Sequence, residues 1–380
     1  MAIPYCTGSG LGPDADHPDR YDPYIPTGTN EEKCQGFLNA IAEVGKYVKL
    51  TSMIDFSTHP VYKTGFTEPI DFKCISLTAD LDANGLPQYG VSGLIFKTNE
   101  ADAFHKSCMF GFQNHYNSSS NTYDYEEINI HGIKFVNFLV SNYGYSGSAS
   151  DGYLRLFGVK GAEGYATSQN FSNCAFSGIV KLRTNYFAIA GSAFKSVQYD
   201  DCSVYLTFQQ PNGSYLVSDN QSSNNTTGSW SPFSNMHRCC VVVTSLKCGG
   251  CLEMPDCSDS TFYFNKLVFN EYKDSGGTGY ENFNGLFCTL FGQPASGVSG
   301  NVIIAKISRT VGLSIKIVFT CLSPSSVVAV TDLDGNTLDS SLWGKYYDST
   351  ITDFASGDVG AYTPDDLKDV NKLVECGFIP

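Results

Sequence analysis

The strongest constraint on this chain is a recurring pattern of short strand, bend and second short strand. Ile128–Phe135 alternates apolar and polar residues with one step at Gly132. The same form returns at Phe171–Phe176, Phe187–Phe194, Val241–Cys248 and Phe262–Phe269. Aligned on Ile133, Cys174, Ser192, Leu246 and Leu267, these segments stand 41, 18, 54 and 21 residues apart. Two intervals are near twenty, 41 reads as two periods, and 54 spans an inserted polar stretch, Gln209–Ser234. A period near twenty predicts the coils of a parallel β-helix, where no rung buries its faces until the next stacks on it. An irregular antiparallel sandwich shows the same short strands and turn signals, and stays open as the alternative.

Composition narrows the classes. Only 16% of residues are charged while 42% are hydrophobic, which excludes a disordered chain. The abundance of Gly, Ser, Asn, Tyr, Phe and Val favours strands and turns over long helices. The net charge of −14 opposes nucleic-acid binding, because an acidic surface repels phosphate. The start of the chain, MAIPYCTGSG, has neither a basic nor an apolar leader region, and no apolar run reaches membrane-spanning length. Neither secretion nor a membrane partner is expected. The 14 cysteines then read as reduced thiols, small and apolar enough to stack inside a coil.

Three regions follow from the order of signals. Residues 1–26 are rich in Gly, Pro and Asp and predict an extended arm that a partner would hold. Residues 27–295 open with a helix and continue as β-helix. Thr29 and Glu32 form a capping box, Cys34, Phe37, Leu38 and Ile41 share one helical face, Gly45 suits the C′ position, and Val48 and Leu50 begin a strand. Residues 296–380 predict a C-terminal strand module, either antiparallel or the last coils. Asn301–Ile307, Leu313–Phe319 and Val327–Thr331 read as strands, and Asp334-Gly335 as a hairpin turn. A terminal helix begins at Thr363-Pro364 and carries Leu367, Val370, Leu373 and Val374 on its apolar stripe.

The opening unit carries a family resemblance. Gly28, Asn30-Glu31, Phe37, Ala40-Ile41 and Val48-Lys49-Leu50 resemble the entrance to the pectate-lyase-like, right-handed parallel β-helices of bacteriophage tailspikes and related virion fibres. That resemblance implies a homotrimeric structural protein of the virion, assembled in the host cytoplasm. It would be a fibre, spike or decoration subunit, held to other virion proteins through its N-terminal arm and facing a host-surface glycan. It also raises an alternative, a polysaccharide depolymerase on the same fold. Thr51–Asp55 stands where such enzymes continue with Pro-x-Gly-x-Tyr, which points away from the depolymerising members.

Chemistry-bearing residues are few. Glycan-cleaving β-helices use two or three carboxylates on one face or between subunits. The acids that would serve are Glu127, beside Glu126, and the pair Asp200 and Asp201; Asp256 with Asp259 is a further pair. Neighbouring strand residues point to opposite faces, so an adjacent pair is not itself a catalytic pair, and solvated turn acids are the plainer reading. Cys248-Gly-Gly-Cys251 with Cys257, Cys239, Cys240 and His237 has thiols enough for zinc but no second C-x-x-C, so buried thiols are the alternative. Asp80-Leu-Asp-Ala-Asn-Gly85 matches the first half of a calcium loop, but its twelfth position is Val91, which favours a turn. No nucleophile motif and no phosphate loop is present. No catalytic set, metal or cofactor is therefore expected.

Overall fold

The computed structural model describes residues 22–59, 69–84, 88, 90–96, 108–113, 116–117, 122–123, 127–141, 154–159, 168–183, 187–190, 196–211, 216, 232–249, 251–253, 257–270, 284–287, 302–309, 317–320, 327–331 and 343–344. They form strands in parallel sheets, with one helix among them. A first sheet runs through Asp22–Tyr24, Tyr47–Leu50, Ser76–Ala79, Glu127–His131, Ser168–Ser172, Ser196–Asp200 and Met236–His237. A second runs from Met53–Asp55 through Gly93–Ile95, Lys134–Ser141, Ala175–Lys181, Ser203–Gln209, Cys240–Thr244, Thr261–Asn270 and Val302–Arg309 to Val327–Thr331. Ile70–Phe72, Cys108–Phe112, Leu154–Val159 and Phe187–Ala190 make a third. A fourth joins Cys251–Glu253, Asn284–Phe287, Ile317–Thr320 and Trp343–Gly344. Tyr116–Asn117 and Thr122–Tyr123 form the one antiparallel pair among the described residues. The chain is thus all-β and parallel, and the antiparallel sandwich is set aside.

Spatial order in each main sheet follows chain order. The chain visits the first sheet at Ser168–Ser172, the second at Ala175–Lys181 and the third at Phe187–Ala190, then returns to the first at Ser196–Asp200. Each return pairs in parallel register with the visit before it, as Phe171↔Tyr199 and Phe176↔Val204 show. The repeat is uneven: the interval of 21 between Leu246 and Leu267 is one return, as expected, but the other returns are longer. Contacts between successive returns join residues 41 apart at His131 and Ser172, 28 apart at Ser168 and Ser196, 37 apart at Asp201 and Arg238, and 21 apart at His237 and Ser258. An interval of 41 is therefore one return, not two, because loops of different length separate equivalent strands. Ser192 does not belong to the alignment, since the strand before it, Phe187–Ala190, lies in the third sheet.

Inward positions alternate as a pleated strand requires. Val48 and Leu50 are buried while Tyr47 and Lys49 are half-buried. Three sheets meet in one core. Phe135 of the second, Phe157 of the third and Phe171 of the first lie 5.2 and 5.1 Å apart, ring to ring. Successive strands stack like on like, with Phe135 on Phe176 at 5.3 Å and 4°, and Phe171 on Tyr199 at 5.1 Å and 7°. Offset aromatic stacking adds to simple burial here.

The helix Asn30–Ile41 covers the first end of this core. Thr29 caps it and Glu32 completes the capping box. Cys34, Phe37 and Ile41 are buried, and the Phe37 ring meets Tyr24 and Phe56. The Ile41 carbonyl accepts from Lys73 and Cys74 N–H, which joins the helix end to the third sheet's approach. Gly45 is not the C′ residue. The helix ends at Ile41 with Ala42 as C-cap, and Gly45, at φ +74°, turns the chain into Tyr47–Leu50. Asp22–Tyr24, assigned to the arm by composition, is an edge strand of the first sheet paired with Val48–Leu50, and its Tyr24 hydroxyl donates to the Lys33 carbonyl. Val302–Arg309 and Val327–Thr331 extend the second sheet in parallel. The Asp334-Gly335 turn, the helix at 363–377 and residues 1–21 lie outside the described residues.

Two positions test this packing. A Cβ on Gly178 would lie 2.4 Å from both the Phe138 ring and its carbonyl oxygen in the neighbouring strand. Gly178→Ala should cost about 1–3 kcal/mol in urea unfolding, by overpacking. Gln169 points inward between Ile128 and Val197, is fully buried, and neither its Oε1 nor its Nε2 has a hydrogen-bond partner among the described residues. Gln169→Leu should therefore raise stability, by about 1–3 kcal/mol, since a buried unpaired amide carries its full desolvation cost.

Candidate functional site

The first two sheets meet at a sharp corner, repeated on five successive strands. Gly132, Asn173, Asp201, Arg238 and Asp259 occupy it, all with φ between +50° and +68°. Gly, Asn and Asp tolerate this left-handed conformation best. Backbone bonds lock the corners together: Gly132 N–H donates to Ser172, Asn173 to Asp200, Asp201 to His237 and Arg238 to Ser258, each at 2.9 Å.

Inside the corner runs a column of thiols ending in a hydroxyl. Cys174 Sγ lies 3.3 Å from the Ile130 carbonyl and 3.4 Å from that of Ser172. Cys202 repeats this on Phe171 and Asp200, and Cys239 on Tyr199 and His237. Ser260 closes the column on Met236 and Ser258, at 3.0 and 2.9 Å. Burial pushes the Cys202 thiol far above its ordinary range, so this cysteine is a donor and packing group rather than a nucleophile.

Outside, the first sheet carries polar residues in three columns. Glu127, Ser168 and Ser196 form one; Asn129, Asn170 and Gln198 the next; His131, Ser172, Asp200 and His237 the third, with Ser258 bridged to His237. Hydrogen bonds run along the columns. Ser196 Oγ donates to Ser168 Oγ at 2.8 Å and Asn170 Nδ2 to Asn129 Oδ1 at 3.0 Å. His131 Nδ1 lies 2.6 Å from Ser172 Oγ, and His237 Nδ1 lies 2.8 Å from Ser258 Oγ. Glu127 is exposed; Asn129, Ser196, Gln198, His237 and Ser258 are half-buried; His131, Ser172 and Asp200 are buried.

The candidate carboxylates separate in this frame. Glu127 and Asp200 share the outer face but stand two strands and four residues apart, roughly 16 Å at ordinary sheet spacings. Paired glycosidase carboxylates stand about 5–9.5 Å apart. Asp201 is in the corner, where the Arg238 guanidinium grips it with Nε at 2.8 Å and Nη2 at 2.9 Å. Asp200 takes Gln198 Nε2 at 2.7 Å and a longer contact from Arg238. Burial raises the Asp200 carboxyl, opposed by the attraction of His237, the Gln198 hydrogen bond and Arg238.

The cysteine cluster does not converge either. Cys248 is buried in register with Phe269, its thiol pushed far up by burial. Cys257 Sγ is 3.3 Å from the Phe233 carbonyl, while Cys239 belongs to the corner column. Cys251 is placed only by its backbone, in the fourth sheet. Among the described residues no three His, Cys, Asp or Glu side chains stand where they could hold a metal ion. At Asp80–Asn84 the Asn84 N–H donates to Asp82 Oδ1 at 2.8 Å, and Lys49 lies 3.8 Å from Asp80, so a self-bonded turn and an ion pair occupy the acids.

Sequence alternation alone marks Glu127, Asn129 and His131 as one face. It misses the columns, because Arg238, Ser258 and the thiol ladder become neighbours only through returns of unequal length. Compared with known protein families, curated proteins and solved structures, the chain matches none of them.

The corner predicts opposite outcomes for its two acids. Asp201→Ala removes the partner of a half-exposed arginine and a residue suited to positive φ, and should cost about 1–2 kcal/mol in urea unfolding. Asp200, raised in the folded state, contributes stability that is present at low pH and lost as pH rises through its folded pKa. Asp200→Asn should therefore be at least as stable as the parent at pH 7 and should lack the loss of stability that Asp200 contributes as pH rises through its folded pKa.

Proposed function

We propose that this chain is a structural, attachment-type protein of a virion surface, built on a right-handed parallel β-helix. The carrying observation is the regular return of the chain to three parallel sheets around a common aromatic core. Stacked coils of this kind make a stiff rod, and the thiol column and corner bonds suit a rod that needs no disulfides. Three such chains side by side would form a fibre, spike or decoration unit, with residues 1–21 leading to other virion proteins. The polar columns of the first sheet are then the surface offered to a host glycan. Repeated amide, hydroxyl and carboxylate groups at strand spacing suit a linear chain of sugar hydroxyls.

Cleavage of glycosidic bonds is the second reading, favoured only by the raised Asp200 carboxyl, the state a general acid requires. Glu127 stands too far away to serve as its partner. One experiment separates the two. The purified chain is sized by sedimentation, then incubated with host capsule or exopolysaccharide while binding and reducing ends are followed. Attachment predicts a species of three times the 41.3 kDa chain mass that binds polymer and leaves its length unchanged. Monomers that bind nothing would sink the proposal, and reducing ends lost on Asp200→Ala would replace it with the depolymerase.

A further inference from the structure

The third polar column places a nucleophile, a base and an acid on three adjacent strands. We propose that Ser258, His237 and Asp200 form an acyl-transfer site that hydrolyses small carboxylic esters. Ser258 Oγ and His237 Nδ1 are in hydrogen-bond contact at 2.8 Å. Asp200 is the register partner of His237 on the other side, and its carboxylate also takes Gln198 Nε2 at 2.7 Å and Arg238 Nη2 at 3.4 Å. The serine is held by its backbone: its N–H donates to Met236 and its carbonyl accepts from Arg238, both at 2.9 Å. It immediately precedes Asp259, at φ +50°, so the side chain sits at the mouth of a left-handed turn. In the four preceding corners the equivalent N–H bonds to the next strand. The Asp259 N–H has no acceptor among the described residues, and the N–H following the nucleophile is where an oxyanion needs a donor.

The same column contains a built-in comparison. His131 and Ser172 make a similar contact at 2.6 Å, but both are buried, whereas His237 and Ser258 are half-exposed and open to substrate. The chemistry balances. Ser258 Oγ attacks the acyl carbon and its proton passes to His237 Nδ1, while the carbonyl electron pair moves to the oxygen facing the Asp259 N–H. Collapse breaks the ester C–O bond, and the alkoxide leaves as an alcohol with the proton from Nδ1. Water then gives a proton to Nδ1 and attacks the acyl-serine. Expulsion of Ser258 Oγ, reprotonated from Nδ1, releases the carboxylic acid. Asp200 acts as a positioning residue that favours the imidazolium formed in each half.

The site is independent of the glycan-attachment reading, since it requires neither a trimer nor a bound polymer. The test uses the full chain with p-nitrophenyl acetate as substrate and a fluorophosphonate as label. Expected are one label per chain, mapped by peptide mass to Ser258, and turnover reduced about 100-fold or more by Ser258→Ala and by His237→Gln. In Asp200→Asn kcat should fall with KM unchanged, whereas a merely structural Asp200 would leave kcat in place. No label, a label on another serine, or unchanged turnover in Ser258→Ala would overturn the proposal. The alanine variant removes only a half-exposed hydroxyl, and a melting curve matching the parent shows that its loss of activity is chemical.

Discussion

Parallel backbone pairing between each strand and the strand of the next return is the interaction on which everything else depends. Neither face of a single strand of this chain is satisfied alone. Its N–H and C=O groups point to the strands before and after, and its apolar side chains are covered only when the next layer arrives. Register is therefore set by stacking. Phe must fall on Phe or Tyr, as Phe135 does on Phe176 and Phe171 on Tyr199. A slip of one residue would turn every inward ring to the outside. The helix Asn30–Ile41 covers the first end of the stack, placing Phe37 over the first layer.

Corners are the weak point of such a scheme, because a sharp bend removes carbonyls from the ladder. Here the bend is made the same way on successive strands. A left-handed residue turns the chain, and the residue after it points a thiol or hydroxyl back at two carbonyls. Ser260 replacing the cysteines of the earlier layers, on equivalent carbonyls, shows that donation as well as packing is required at this position. This accounts for three of the cysteines by local chemistry and needs no oxidation. The ion pair of Arg238 with Asp201 holds together the one corner pair in which an arginine adopts positive φ.

Repetition also produces the polar face. When strands stack in register, outward residues two apart in sequence become columns, and a residue type placed once per return becomes an array. The first sheet uses this for amides, hydroxyls and the His–Ser–Asp line. Its polarity is directional: the column beside the corner is buried and self-bonded, while Glu127 at the far edge is open to water. Both proposals for this protein draw on that one face, the attachment surface on the open columns and the ester site on the half-exposed end of the buried one.

Local pattern determined the strand character, the helix Asn30–Ile41 with its Thr29–Glu32 box, the inward Val48 and Leu50 of the strand after it, and the place of cysteine inside a core. These depend on residues a few positions apart, where periodicity and capping act. The sequence shows one return, the 21 residues between Leu246 and Leu267, but not the length of the others, because loops of unequal length separate equivalent strands and 41 is one return rather than two periods. For the same reason Glu127 and Asp200 looked like alternatives in one acid inventory, yet sit roughly 16 Å apart on one face. The thiol ladder, the Arg238–Asp201 grip and the Ser258–His237–Asp200 column join residues 21 to 44 positions apart. Only the tertiary structure decides those, since partners across a stack are chosen by which strand comes to lie next to which.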